Sequence, residues 1–324
     1  MRLLAFGIIA AALLAVPQLS AETNVVPHVV HGWPILPEGR TLGMLAGVAV
    51  DSRNEVYVFD RGMRGWKEPL PTDPINEPTI RVFDGKSGRL LREFGANLFA
   101  MPHGISIDRE DHVWVTDVGL NQVVELDRFG RVLKTLGTPG KAGSDERHFD
   151  KPTDVAFSQD GDVLVSDGYG NSRVIVFDRE GRYRRQWGAA GRGSGQFTIP
   201  HAIAVDASGR ILVADRENDR IELFSAEGRY LSEWKSAAIG RPFGLAVFRD
   251  GRVAVLDGGE HPASGPDRAG LVIVDGLGRV RARVGRFGNY DGQFWGAHDV
   301  AAGPDNAIYV VDIAGQRVQK FVER

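Results

Sequence analysis

Cysteine is absent from all 324 residues. The chain can therefore form no disulfide and offers no thiolate ligand, so a bound metal must be held by histidine, carboxylates or backbone carbonyls. Neither sign of charge dominates: 39 Lys and Arg stand against 42 Asp and Glu, for a net charge of −3, and the two signs are interspersed. That balance lacks the basic footprint expected of a partner for nucleic acid or an anionic membrane. Long apolar runs are also missing, apart from Leu3 to Val16. This segment follows the basic start Met1-Arg2 and precedes the small-residue stretch Pro17 to Ala21, the pattern of an export signal. The alternative of a membrane anchor is disfavoured because a span needs about 20 apolar residues. The expected domain plan is a signal peptide at 1–21 and one catalytic domain at 22–324, secreted or periplasmic and free of the membrane once the signal is removed.

What the chain does have is a repeat. A β-rich segment ending in Asp occurs six times: Val56 to Asp60, Val113 to Asp117, Val163 to Asp167, Ile211 to Asp215, Val253 to Asp257 and Ile308 to Asp312. A shorter strand precedes each across a turn, at Gly47 to Asp51, Gly104 to Asp108, Asp154 to Ser158, Ala202 to Asp206, Gly244 to Phe248 and Asp299 to Gly303. Third and fourth strands follow in most copies, joined by turns such as Glu-Gly-Arg and Asp-Gly that suit hairpins. Four strands in about 40 to 50 residues make one propeller blade. Six copies predict an all-β, six-bladed β-propeller. The last copy runs out of chain before a fourth strand, so the segment Asn24 to His31 is expected to supply it and close the ring. The Pro-rich insertion from Gly62 to Thr79 reads as a long loop within the first blade.

The residues just before the first strands of successive blades are Ala46, His103, Thr153, His201, Phe243 and His298. Histidine occupies every second blade. Alternate blades of a six-fold ring are related by one third of a turn, so three such side chains can meet on the axis. Three imidazoles around one point leave a coordination position open, which is the arrangement of catalytic rather than structural zinc. His28, His31, His112, His148 and His261 share no such column and read as surface or loop residues. The connection after each Asp-ending strand should lie on the same face as the histidines. It carries Arg61, Tyr169 and Arg216 in the first, third and fourth blades, suited to anion binding and proton transfer. The six Asp residues themselves, present also in blades without histidine, read as turn-making hydrogen-bond acceptors.

These segments resemble the peptidyl-α-hydroxyglycine α-amidating lyases, whose catalytic core is a six-bladed propeller of NHL-type repeats. The likeness is carried by Asn97 to Asp108, Pro152 to Val155, Ser166 to Arg173, Gly195 to His201 and Ala214 to Asn218, within a match from about Val48 to Phe321. The resemblance implies zinc on His103, His201 and His298, with Tyr169 as general base and Arg61 and Arg216 contacting the substrate. It further implies a structural calcium on the carbonyls of Val48 and Ile105 and the carboxylate of Asp299, a ligand set suited to a hard cation. Two departures stand out. The animal enzymes have disulfides, one with a cysteine where this chain has Gly170, and Gly296-Ala297 replaces a Met-Pro pair before the third histidine. The chain also carries no copper monooxygenase module.

The expected activity is cleavage of the C–N bond of a peptidyl or N-acyl α-hydroxyglycine to an amide and glyoxylate, by a monomer with no nucleic-acid partner. A non-catalytic NHL propeller that binds a protein or peptide, and a metal-dependent hydrolase on the same scaffold, remain open on fold alone.

Overall fold

A computed structural model describes residues 26–259 and 268–323. The signal segment 1–21, His261 and much of the connection from Gly258 to Gly270 lie outside the described residues. Six four-stranded antiparallel sheets follow one another along the chain, and no α-helix occurs among the described residues. Each sheet is one blade, with its strands here lettered A to D from the axis outward. The A strands are Leu45–Val50, Pro102–Ile107, Asp154–Phe157, Pro200–Val205, Pro242–Val247 and Ala297–Ala302. All six B strands end on the expected Asp. The ring closes as the sequence predicts: Pro27–Val29 pairs with Arg317–Glu323 as the outermost strand of blade 6.

The core is divided among the seams between blades. Val174, Val176 and Leu164 of blade 3, for example, pack on Ile203, Val213 and Phe224 of blade 4. Blades 6 and 1 meet in the same way through Tyr309, Val311, Val58 and Phe83. Strand alternation makes this possible, because each blade presents one apolar face to either neighbour.

The six Asp residues act as the turn anchors expected of them. Asp117 accepts the backbone N–H groups of Ala100, Met101, Gly119 and Leu120, tying the approach to strand A to the loop after strand B. Asp60, Asp167, Asp215, Asp257 and Asp312 bind corresponding N–H groups in their own blades.

One expectation needs correction. The A strands of five blades begin two residues earlier than the sequence suggests, so the histidines lie inside their strands rather than just before them. A β-bulge explains the difference. Pro200 pairs with Asp215 and Ala202 with Ala214, leaving His201 without an opposite residue. Ala46, Phe243 and His298 are skipped in the same way, and His103 and Gly104 fall in a similar break. A bulge re-aims the side chain of the extra residue and frees its backbone from the ladder.

Candidate metal centre and active site

The freed backbone has a use. The Nδ1 of His103 donates to the carbonyl of Thr153 at 2.7 Å, that of His201 to Phe243 at 2.7 Å, and that of His298 to Ala46 at 2.6 Å. Each acceptor is the column residue of the next blade. A carbonyl can only accept, so Nδ1 carries the proton and Nε2 presents a lone pair to the axis. The three rings stand at 4.8, 4.8 and 5.0 Å between centroids, and their potential ligand atoms lie within 4.8 Å of one another. All three are buried. Burial, with the nearby cations Arg61 and Arg216 reinforcing it, holds the imidazoles of His103 and His201 well below the ordinary histidine range and that of His298 at about 3. Neutral, oriented imidazoles with converging lone pairs are what a borderline divalent metal such as zinc requires.

Tyr169 completes the axial group. Its hydroxyl lies 3.1 Å from His103 Nε2, 3.2 Å from His201 Nε2 and 3.2 Å from a terminal nitrogen of Arg216. The flanking glycines permit this approach: a Cβ on Gly168 would meet the Pro200 carbonyl at 2.2 Å, and one on Gly170 the Asp150 carboxylate at 2.1 Å. Trp66, from the insertion in blade 1, packs on the Tyr169 ring at 4.5 Å between centroids while remaining 43% exposed. Arg64 to the Ala100 carbonyl and Glu68 to Lys151 pin this insertion across blades 2 and 3, on the side of the ring where Trp66 meets Tyr169.

The two arginines differ. Arg61 is buried with its Nε unpartnered, and its terminal nitrogen reaches only the sulfur of Met101, at 3.7 Å. Burial pulls its guanidinium down to about 10, against the opposing pull of Tyr169 and Asp60. A cation placed in the interior without a carboxylate to bind costs stability, which marks it as poised for an anionic ligand. Arg216 is braced instead. Its Nε donates to Glu217 at 2.8 Å, its guanidinium lies 4.8 Å over the Phe243 ring, and its backbone N–H binds the carbonyl of Ile199. Ile199, two residues before His201, takes a left-handed conformation at φ 62°, a strained choice for a β-branched residue.

Further down the axis, Val48, Ile105 and Asp299 line a shared cavity of about 280 Å³. Asp154 lines it as well, and no Lys, Arg or His does. Burial raises both carboxyl groups above the ordinary carboxylate range, and the like charge of Asp154 raises Asp299 further. The donor set of two carboxylates and main-chain oxygens is suited to a hard cation.

A model described as a six-bladed β-propeller matches residues 143–241, and an NHL-repeat model matches residues 99–125. Peptidyl-alpha-hydroxyglycine alpha-amidating lyase 2 of Drosophila melanogaster is 30% identical over 328 residues, covering 94% of this chain and 77% of that protein. The chain belongs to this lyase family. Rat peptidylglycine alpha-amidating monooxygenase is 35% identical over 94% of the chain, which spans only 32% of that longer protein. Among solved structures, a gluconolactonase of Xanthomonas campestris superposes with a TM-score of 0.62 at 11% identity, covering 92% of this chain and 95% of that one. At that identity the likeness speaks for the fold alone.

As a member of the lyase family, the chain brings together all six residues expected on the metal face, His103, His201, His298, Tyr169, Arg61 and Arg216, and the three expected lower on the axis. Sequence reasoning missed the carbonyls of Ala46, Thr153 and Phe243, although these are the non-histidine members of the same column. It also missed Glu217, Trp66 and Asp154. For Glu217 the available signal was its position directly after Arg216.

Proposed function

We propose that the protein is a zinc-dependent lyase that cleaves a peptidyl or N-acyl α-hydroxyglycine into an amide and glyoxylate. The observation that carries this reading is Tyr169: a phenol oxygen within 3.2 Å of two metal-facing imidazole nitrogens and of a guanidinium, beside a buried arginine lacking a carboxylate partner. Zinc held by His103, His201 and His298 would supply a Lewis acid that lowers the pKa of the substrate's α-hydroxyl.

The chain's own residues supply the rest. Arg61, with Arg216 beside it, receives the glycine carboxylate, for which a planar guanidinium fork is suited. Tyr169, as its phenolate, takes the α-hydroxyl proton. The O–H electron pair becomes the C=O of glyoxylate, the C–N bond breaks, and its electrons and a proton pass to the amide nitrogen. No water is consumed and the atoms balance. Trp66 covers the phenol and limits access of bulk solvent to the reacting atoms. Calcium in the lower cavity, on Val48, Ile105 and Asp299, would neutralise the axial carboxylates and link A strands of blades 1, 2 and 6. Export to a secreted or periplasmic location, and action as a monomer, complete the proposal.

A protein that only binds a partner through its loop face has no use for three oriented imidazoles around a phenol. The deciding assay is glyoxylate release from N-benzoyl-α-hydroxyglycine by the purified protein, zinc-loaded and after chelation. His201→Ala should lose most of the bound zinc while circular dichroism stays that of the wild type. Fully zinc-loaded wild type that releases no glyoxylate from this or a peptidyl substrate would defeat the lyase reading.

A further inference from the structure

Glu217 is hydrogen-bonded to Arg216, which in turn reaches Tyr169. Its Oε1 accepts from Arg216 Nε at 2.8 Å and also from a terminal nitrogen of Arg241. Both cations pack on Phe243, with the guanidinium carbons of Arg216 and Arg241 at 4.8 and 5.1 Å from its ring centroid. Two arginines thus share one carboxylate and one aromatic ring: the carboxylate holds the Nε edge of Arg216 and a terminal nitrogen of Arg241, and both guanidiniums pack on the ring. Held so, Arg216 turns one terminal nitrogen to the Tyr169 hydroxyl, 3.2 Å away. Phe243 also accepts from His201 through its carbonyl, so the same residue steadies a metal-facing imidazole and the arginine beside it.

We propose that Glu217 is a positioning residue: anchored by Arg241, it holds Arg216 in the orientation in which that guanidinium receives a ligand carboxylate. The proposal rests on the lyase reading only in taking a glycine-type carboxylate as the ligand. It has an unusual sign. A carboxylate beside an anion site should, by charge alone, weaken anion binding, and its removal should tighten it. If Glu217 acts by placement, its removal weakens binding, because an unrestrained arginine must give up side-chain freedom on meeting the ligand.

The test uses the intact, zinc-loaded protein and two inert probes, N-benzoylglycine and its uncharged primary amide, titrated calorimetrically. Glu217→Ala should bind N-benzoylglycine about tenfold more weakly, the scale of one charge-assisted hydrogen bond, and the amide within twofold of wild type. Glu217→Gln, which keeps an acceptor oxygen, should recover most of that loss. Unchanged or tighter binding of N-benzoylglycine to Glu217→Ala overturns the proposal. So does a wild type that fails to prefer the carboxylate probe over its amide. Should Glu217→Ala misfold, Glu217→Asp keeps the charge and shortens the reach. Weaker carboxylate binding there supports placement, and wild-type binding refutes it. A wild type that prefers the carboxylate yet releases no glyoxylate from N-benzoyl-α-hydroxyglycine would sink the lyase reading and leave the positioning role standing.

Discussion

Replacing Arg61 by methionine should make the protein more stable and nearly inactive. The guanidinium is buried, its Nε has no partner, and its terminal nitrogen touches only the Met101 sulfur. Burial pulls its pKa down from the ordinary guanidinium range to about 10. At about 1.36 kcal/mol per unit, the interior disfavours the charged form by roughly 3 kcal/mol. The sign follows from proton binding. Between about pH 10 and 12.5 the folded chain binds fewer protons than the unfolded one, so stability rises with pH only in that window, and at neutral pH the whole cost is present. Methionine has a similar apolar stem and no charge, so Arg61→Met should gain about 1–3 kcal/mol, the lower figure allowing for imperfect packing. Activity should move the other way. Removing one member of a buried charge pair typically costs about 2–5 kcal/mol, or roughly 30- to 5,000-fold in kcat/KM. Urea unfolding at pH 7 of zinc-free protein measures the first quantity, and glyoxylate release at matched zinc content measures the second. A well-folded Arg61→Met protein that is both less stable and fully active would refute the reasoning on both counts.

Tyr169→Phe should keep the fold and the zinc and lose about 100- to 10,000-fold in turnover, the usual contribution of a general base. An equally active variant would remove Tyr169 from the chemistry. Asp299→Asn should abolish the rise in melting temperature that added calcium gives the wild type, as read by scanning calorimetry of chelator-treated protein; an undiminished rise would place the ion elsewhere. Glu222 is buried in blade 4 with one carboxyl oxygen unpartnered, and burial raises its pKa to about 7. Its protonated form favours the fold, so stability is full below about pH 4.5 and falls as pH rises through 7. Glu222→Gln should spare up to about 3 kcal/mol of that loss, and parallel pH–stability curves for the two proteins would contradict it.

The ring, its closure by the N-terminal strand and the axial histidines were legible because each follows from a period. Strand alternation, the recurring Asp and the column from Ala46 to His298 repeat from blade to blade, and a repeat cannot hide in a single chain. What escaped was not periodic. The bulge at the column residues depends on a backbone break that no residue type announces: Ala46, His103, His201, Phe243 and His298 share a position and little chemistry. Glu217 and Arg241 meet across two blades, 24 positions apart, and their pairing is a product of tertiary structure. Trp66 reaches Tyr169 from an insertion found in one blade, where no neighbouring repeat offers a comparison. Asp154 was visible within a matching motif, but its place opposite Asp299 emerges only once the ring is built.

The handover of each imidazole to the carbonyl of the following blade has an arithmetical consequence. Donor and acceptor blades alternate, 2 to 3, 4 to 5 and 6 to 1, and the last handover, from His298 to Ala46, crosses from the last blade back to the first. Such an alternation closes on itself only when the number of blades is even, and it converges threefold only when that number is six. A propeller of five or seven blades would bring two blades of the same kind together and break the even spacing of the imidazoles about the axis. Gain or loss of a single blade is therefore incompatible with the threefold arrangement of the axial histidines.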